Sequence, residues 1–245
     1  MTTEEIGEVF VNTWAHYQEA KKQMILRETR NIYHRDAAIS DRVPGFSADR
    51  LEFGSYDKAD FAVLFVDMRD STTRAQTVGA QTTFLTMHVY LTALLEVVKY
   101  YDGKVIDIMG DGIMAFWKDE PLIEEDDIAD LHAVQSAGLC GRDMLKVRET
   151  VINRIIEKEN LGDPIDLGVG VTFGSVIVTK IGIKDSYDVK AFGDCINIAA
   201  KYSSIRDCNK VRVSPKVADL WPRGENGKIT FSSERNGDSL LLNPV

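Results

Sequence analysis

Cysteine, proline and long apolar runs are scarce in this sequence, and each scarcity removes a class of protein. Three cysteines, Cys140, Cys195 and Cys208, are odd in number and fall at no metal-ligand spacing. A disulfide-stapled scaffold is therefore not expected, and the thiols read as reduced groups of a cytoplasmic protein. The four histidines, His16, His34, His88 and His132, likewise show no ligand spacing. No apolar stretch approaches the roughly 18 residues of a membrane span. Glu4 and Glu5 stand near the amino terminus, where a signal peptide would carry positive charge. The expectation is a soluble chain without membrane insertion. Basic residues are outnumbered, 29 Lys and Arg against 38 Asp and Glu, for a net charge of −9. That sign argues against a nucleic-acid surface. It leaves a nucleotide open, because metal ions can supply the positive charge that meets a triphosphate.

What is present is an ordinary folded composition, 44% hydrophobic and 27% charged. Residues 4–35 are rich in helix formers, with Ile6, Phe10, Trp14 and Tyr17 at helical spacing. They read as a packing appendage or a dimerisation helix that ends before Val43-Pro44-Gly45. The expected division is a helical appendage over 1–50 and a catalytic domain over 51–245. Phe61–Val66 is a buried strand that delivers Asp67 at its end. Residues 82–99 set Phe84, Met87, Leu91, Leu94 and Val98 on one helical face. Two strand-like runs flank Gly110-Asp111-Gly112, a hairpin turn. The acidic stretch 119–130 reads as a solvated loop, and 128–158 as a long helix. Leu167–Val178 reads as another hairpin, turning at Gly174-Ser175. Ala191–Lys201 is a glycine turn entering a helix. This irregular alternation predicts an α+β sandwich with helices on one or both faces of a sheet.

The chemistry rests on Asp67 and Asp111. Each follows a buried β run, so on adjacent strands their carboxylates converge at one edge. Two such acids are the usual protein share of a two-metal site that takes its other oxygens from phosphate, backbone carbonyl and water. Read singly, each is an ordinary strand-end or turn residue.

The residues Val63–Thr72 around Asp67 resemble the first metal motif of the class III adenylyl and guanylyl cyclases. Met109–Phe116 resembles their second, Gly168–Gly174 their glycine-bearing central hairpin, and Phe192–Lys201 the helix of their transition-state residues. The resemblance implies a ferredoxin-like class III catalytic domain with an added amino-terminal helical segment. It also implies a head-to-tail homodimer with sites at the subunit interface, acting on a nucleoside triphosphate. By the same analogy Asp67, Asp111 and the Met68 carbonyl hold two divalent ions, Mn2+ or Mg2+. Ser71 and Thr72 approach the phosphates at a helix start, and Asn197 orients the ribose from the other subunit. Where the family usually carries arginine, this chain has Lys201, a point charge without the bidentate fork. Arg69 and Arg74 are candidates to substitute, against a structural role for each. Lys210, Arg223 and Lys228 are candidates for the family's triphosphate lysine.

Base choice turns on two positions. Adenylyl cyclases generally carry lysine four residues before the second aspartate; here it is Asp107. Seven residues before the asparagine, where they carry aspartate or threonine, stands Lys190. The reversed donor and acceptor disfavour ATP. GTP remains open, and so does a pyrimidine, to whose O2 or O4 Lys190 can donate. A mutual Asp107–Lys190 salt bridge across adjacent strands is the structural alternative. The compact chain also resembles the bacterial pyrimidine cyclases of anti-phage defence, whose product activates a separate effector; on that resemblance UTP stands ahead of CTP. A non-catalytic cyclase relic is the competing class. A diguanylate cyclase relative lacks its Gly-Gly-Asp/Glu-Glu-Phe hairpin here.

Overall fold

The computed structural model describes residues 1–27, 54–118, 133–183, 186–222, 229–234 and 238–244. Val43-Pro44-Gly45, the acidic stretch 119–130, Arg223 and Lys228 lie outside the described residues.

The core is a sheet of eight strands. In chain order these are β1 (Tyr56–Met68), β2 (Lys104–Met109), β3 (Gly112–Lys118), β4 (Leu167–Ile183), β5 (Ser186–Phe192), β6 (Val211–Val213), β7 (Ile229–Ser233) and β8 (Leu240–Pro244). Their spatial order is β2-β3-β1-β4-β6-β8-β7, and β5 pairs with the far end of β4. Pairing is antiparallel except between β4 and β6.

The helices are α1 (Thr3–Arg27), α2 (Ser71–Tyr100), α3 (Ala133–Val147), α4 (Asn153–Lys158), α5 (Asp194–Ser203) and α6 (Pro215–Leu220), with a π-helical turn over Arg148–Ile152 between α3 and α4. β1 alternates its residues between two cores, as the two-residue period of a strand requires. Ala62, Leu64 and Val66 pack into the larger one with α1, α2 and α3. Phe61 and Val63 join a smaller core with Cys195 and Ala199 of α5. The fold is therefore the α+β sandwich expected, with helices on both faces.

Helix α1 packs on its own subunit. Ile6, Val9 and Tyr17 are buried in the larger core, and Trp14 stacks near Lys158 of α4. Tyr17 donates to Glu159 at 2.6 Å. Of the two roles open to this segment, packing is the one these contacts serve.

The hairpin expected at Gly174-Ser175 does not form; β4 runs unbroken from Leu167 to Ile183. Its glycines serve a different end. A Cβ on Gly170 would meet Tyr202 at 2.8 Å, and one on Gly174 would meet Cys195 at 2.9 Å. Glycine here lets α5 lie directly on the strand. The buried face of α2 includes Leu94 and Val98 as expected, with Met87 and Leu91 packed against the core. Phe84, however, is 38% exposed, and Leu85, Val89, Ala93 and Val97 widen the face on one side.

Gly79 divides α2. Its φ of 79° and ψ of 170° lie in a region essentially restricted to glycine. The first piece, Ser71 to Val78, is thereby set at an angle to the rest. Farther along the sheet, Arg212 of β6 has no exposed surface and grips Glu234 bidentately at 2.8 and 2.9 Å. Ser239 donates to the same carboxylate at 2.6 Å.

Candidate active site

The two aspartates meet at the tip of adjacent strands. Val66 pairs with Ile113, so Asp67 at the end of β1 lies beside the turn that opens β3. That turn passes through Gly110 at φ 64°, a left-handed conformation suited to glycine. A Cβ on Gly112 would stand 3.6 Å from Oδ1 of Asp67, which places that carboxylate directly beside the turn. Burial, and then the charge and hydrogen bonding of Asp111, push the Asp67 carboxyl above its ordinary range, against the pull of Arg69. Oδ2 of Asp111 is buried with no hydrogen-bond partner.

Magnesium or manganese is the group implied by the resemblance, and these residues fit it. Two acids side by side, the charge of one holding the other above its ordinary range, are relieved by a hard divalent cation. Among the described residues no group of three or more His, Cys, Asp or Glu comes together. The pair therefore needs oxygens from backbone and substrate to complete a coordination shell.

Beside the pair opens a cleft of about 800 Å³, lined among others by Met68, Ser71, Thr72, Thr86, Gly110 and Asp111. Ser71 opens α2 after Asp70, which is left-handed at φ 51° and makes no side-chain cap. The first amides of the helix thus have no side-chain acceptor and suit an anion. Arg69 is engaged elsewhere: its guanidinium donates to the Ser203 carbonyl and, at 2.9 Å, to that of Ile205, at the end of α5. Arg74 lines the cleft but donates to the carbonyls of Asp163 and, at 2.8 Å, Leu161. Both arginines brace backbone, the structural role rather than the substituting one. Lys210 is paired with Asp207.

Asn197 and Lys201 are one turn apart on α5, and both are exposed. Asp107 follows a bulge in β2, a device that re-aims side chains, and accepts from the Ile108 amide at 2.9 Å. Lys190 on β5 is half-exposed and pairs with Asp188 at 2.8 Å. No mutual Asp107–Lys190 bridge is possible. Strands β3, β1 and β4 lie between β2 and β5, which places the two flanks roughly 19 Å apart at the usual strand spacing. Through Met114 and Phe65, Asp107 is level with Gly170 of β4, whereas Lys190 is level with Thr179. That adds about 30 Å along the strand. One base cannot touch both within one subunit.

Two polar residues of the site escaped the sequence reading. Thr86 and Tyr90, one turn apart on α2, are 1% and 0% exposed, and neither hydroxyl has a partner. Burial, then the charges of Asp111 and Asp67, hold the Tyr90 phenol well above its ordinary range. Only their helical position beneath the acids marks them, and that needs the tertiary structure.

Known proteins resemble this chain in sequence and in fold. The cytidylate cyclase of Staphylococcus aureus is 22% identical over 197 residues, 79% of this chain and 45% of that protein. The uridylate cyclase of Gulbenkiania mobilis is 28% identical over 219 residues, 82% of this chain and 81% of that protein. This chain thus spans less than half the length of the cytidylate cyclases it matches. The crystal structure of the adenylyl cyclase CyaB from P. aeruginosa superposes with a TM-score of 0.61 at 18% identity, covering 77% of this chain and 95% of that one; the likeness is one of fold. Residues 54–239 match the adenylate and guanylate cyclase catalytic domain. The chain belongs to that family.

Proposed function

We propose that this chain is a pyrimidine nucleotidyl cyclase, converting UTP ahead of CTP into the 3′,5′-cyclic monophosphate and pyrophosphate. The observation that carries the reading is the carboxylate pair of Asp67 and Asp111 beside a cleft whose wall includes an uncapped helix start.

Asp67, Asp111 and the Met68 carbonyl hold two divalent cations, Mn2+ or Mg2+. When bound, these neutralise charge on the phosphoryl oxygens and lower the pKa of the ribose 3′-hydroxyl. The protein's own work is alignment, because the attack is intramolecular. Ser71 and Thr72 present the first amides of α2 to the phosphates. Asn197 of a second copy orients the ribose, and Lys201, one turn on, brings a positive charge toward the transferring group. Asp107 accepts from uracil N3–H or the cytosine amine, and Lys190 of the second copy donates to a ring carbonyl. In the base placement the family uses, adenine would set N1 against Asp107 and its amine against Lys190, which leaves both groups unpaired. The separation of Asp107 from Lys190 within one subunit supports a head-to-tail homodimer with both sites at its interface. Residues 51–245 form the catalytic part, and the appendage of residues 1–50 contributes α1 as a brace. The Gulbenkiania uridylate cyclase, whose length this chain largely covers, supports UTP first. The cyclic product serves as a messenger in anti-phage defence, read by a separate effector.

The test is incubation of the purified protein with Mn2+ and each of the four triphosphates, with mass spectrometry of the products. Cyclic UMP is expected to dominate and to vanish in Asp67→Asn. Cyclic AMP as the main product refutes the base assignment. No product from any nucleotide, with Mn2+ bound, supports the non-catalytic reading instead.

A further inference from the structure

Three buried polar atoms without partners belong to residues that line the cleft or feel the charge of its acids. They are Oδ2 of Asp111, Oγ1 of Thr86 and the hydroxyl oxygen of Tyr90. A fully buried hydroxyl ordinarily finds a partner, and one that does not is a liability in the folded chain. Thr86 and Tyr90 are four residues apart and so share one face of α2. Thr86 lines the cleft together with Asp111. The charged groups that bear on the Tyr90 hydroxyl are Asp111, Asp67 and Arg69, and Arg69 is already bonded to backbone carbonyls. The open acceptor next to the two donors is the carboxylate of Asp111.

We infer that Thr86 and Tyr90 are positioning residues, a hydroxyl floor that hydrogen-bonds Oδ2 of Asp111 and orients its carboxylate when the acid pair takes up divalent cations. This rests on the metal-binding reading of Asp67 and Asp111 and deepens it. The reasoning is geometric. A carboxylate that bridges cations must present one oxygen forward in a fixed plane, and the oxygen behind it needs donors to hold that plane. In the structure all three atoms are unpaired. Binding then closes the network, and the hydroxyls that were a liability become part of the site.

The experiment compares wild type with Tyr90→Phe, Thr86→Val and Thr86→Ser, each close in shape to the residue it replaces. Free Mn2+ is measured by electron paramagnetic resonance during titration, and melting is followed in EDTA and in Mn2+. Tyr90→Phe and Thr86→Val are expected to weaken Mn2+ binding by about tenfold, the usual effect of removing an outer partner of a metal ligand. Thr86→Ser, which keeps the hydroxyl, is expected to bind as wild type does. In EDTA both hydroxyl-deleted variants should melt at or above the wild-type temperature. With saturating Mn2+ and substrate, kcat should fall more than KM changes, because a misaligned carboxylate affects the transition state most. Unchanged Mn2+ affinity in Tyr90→Phe overturns the inference. So does a lower melting temperature in EDTA, which would reveal a structural partner. Asp111→Asn separates this from the parent reading: wild type that binds Mn2+ no better than Asp111→Asn defeats the metal site itself.

Discussion

Replacing Asp67 by asparagine should stabilise the metal-free protein while abolishing its turnover. The two carboxylates are close enough for a side-chain hydrogen bond, and burial already disfavours ionisation of Asp67. Two unit charges about 4 Å apart repel by roughly 1–4 kcal/mol as the effective dielectric falls from 80 to 20. Taking the lower half for a half-buried site, and allowing the new amide to donate to Asp111, the gain is about 1–2 kcal/mol. For a chain this long each kcal/mol moves melting by about 2–4 °C, so Asp67→Asn should melt roughly 2–8 °C higher in EDTA. The pH dependence follows the same logic. The folded pKa of Asp67 lies above its ordinary 3.8, so between the two values the folded chain binds more protons than the unfolded one. Stability of the metal-free wild type therefore rises as pH falls through the folded pKa, and this contribution is absent from the variant. Differential scanning fluorimetry at neutral pH, in EDTA and then in Mn2+, reads both effects. Wild type should gain stability from Mn2+ and the variant little. A variant that melts below wild type in EDTA, or that gains as much from Mn2+, refutes the account of the pair.

Other perturbations test other parts of the structure. Gly79→Ala meets no atom within 4 Å of the new Cβ, yet its φ of 79° resists an L side chain; a loss of about 1–3 kcal/mol in urea unfolding is expected from backbone strain alone. Gly170→Ala, whose Cβ would stand 2.8 Å from Tyr202, should cost about 1–3 kcal/mol by overpacking α5 against β4. Glu234→Ala strands the buried Arg212 guanidinium and should cost about 3–5 kcal/mol by the same assay. Burial would raise the Glu234 pKa, but the Arg212 and Ser239 bonds outweigh it and hold it below 4.5. That stabilisation is present above pH 4.5 and is lost as pH falls through the depressed folded value, which an acid-unfolding curve of the wild type against the variant resolves. Inactive Asp67→Asn and Asn197→Ala, mixed and allowed to exchange subunits, should recover about a quarter of wild-type turnover, since half the random pairs carry one intact site of two. No recovery would count against sites shared between copies.

The positions of Asp67 and Asp111 were legible because their signals are local. A short apolar run that ends in an acid, and a Gly-Asp-Gly turn between two strand-like runs, each encode a position within a few residues. The pairing of β1 with β3 then joins them. Glycine was ambiguous where its purpose was distant. Nothing within Leu167–Val178 distinguishes a glycine that turns the chain from one that admits Cys195 and Tyr202 of α5. The long strand was read as a hairpin for that reason. Thr86 and Tyr90 were passed over because helical periodicity is read from apolar residues, and theirs is a face on which hydroxyls are buried among them. Arg69 and Arg74 carried no sequence mark of their engagement, since their acceptors are backbone carbonyls far along the chain.

In the proposed dimer, the wide spacing of Asp107 and Lys190 across the sheet would give base preference an unusual genetics. A pocket assembled from two halves is never inherited whole by one polypeptide. A change at either position alters every pocket in a uniform population, but only one of two in a mixed pair. A cell expressing two alleles would therefore hold hybrid enzymes whose twin pockets favour different nucleotides, and a new preference could be tried beside the old one before replacing it.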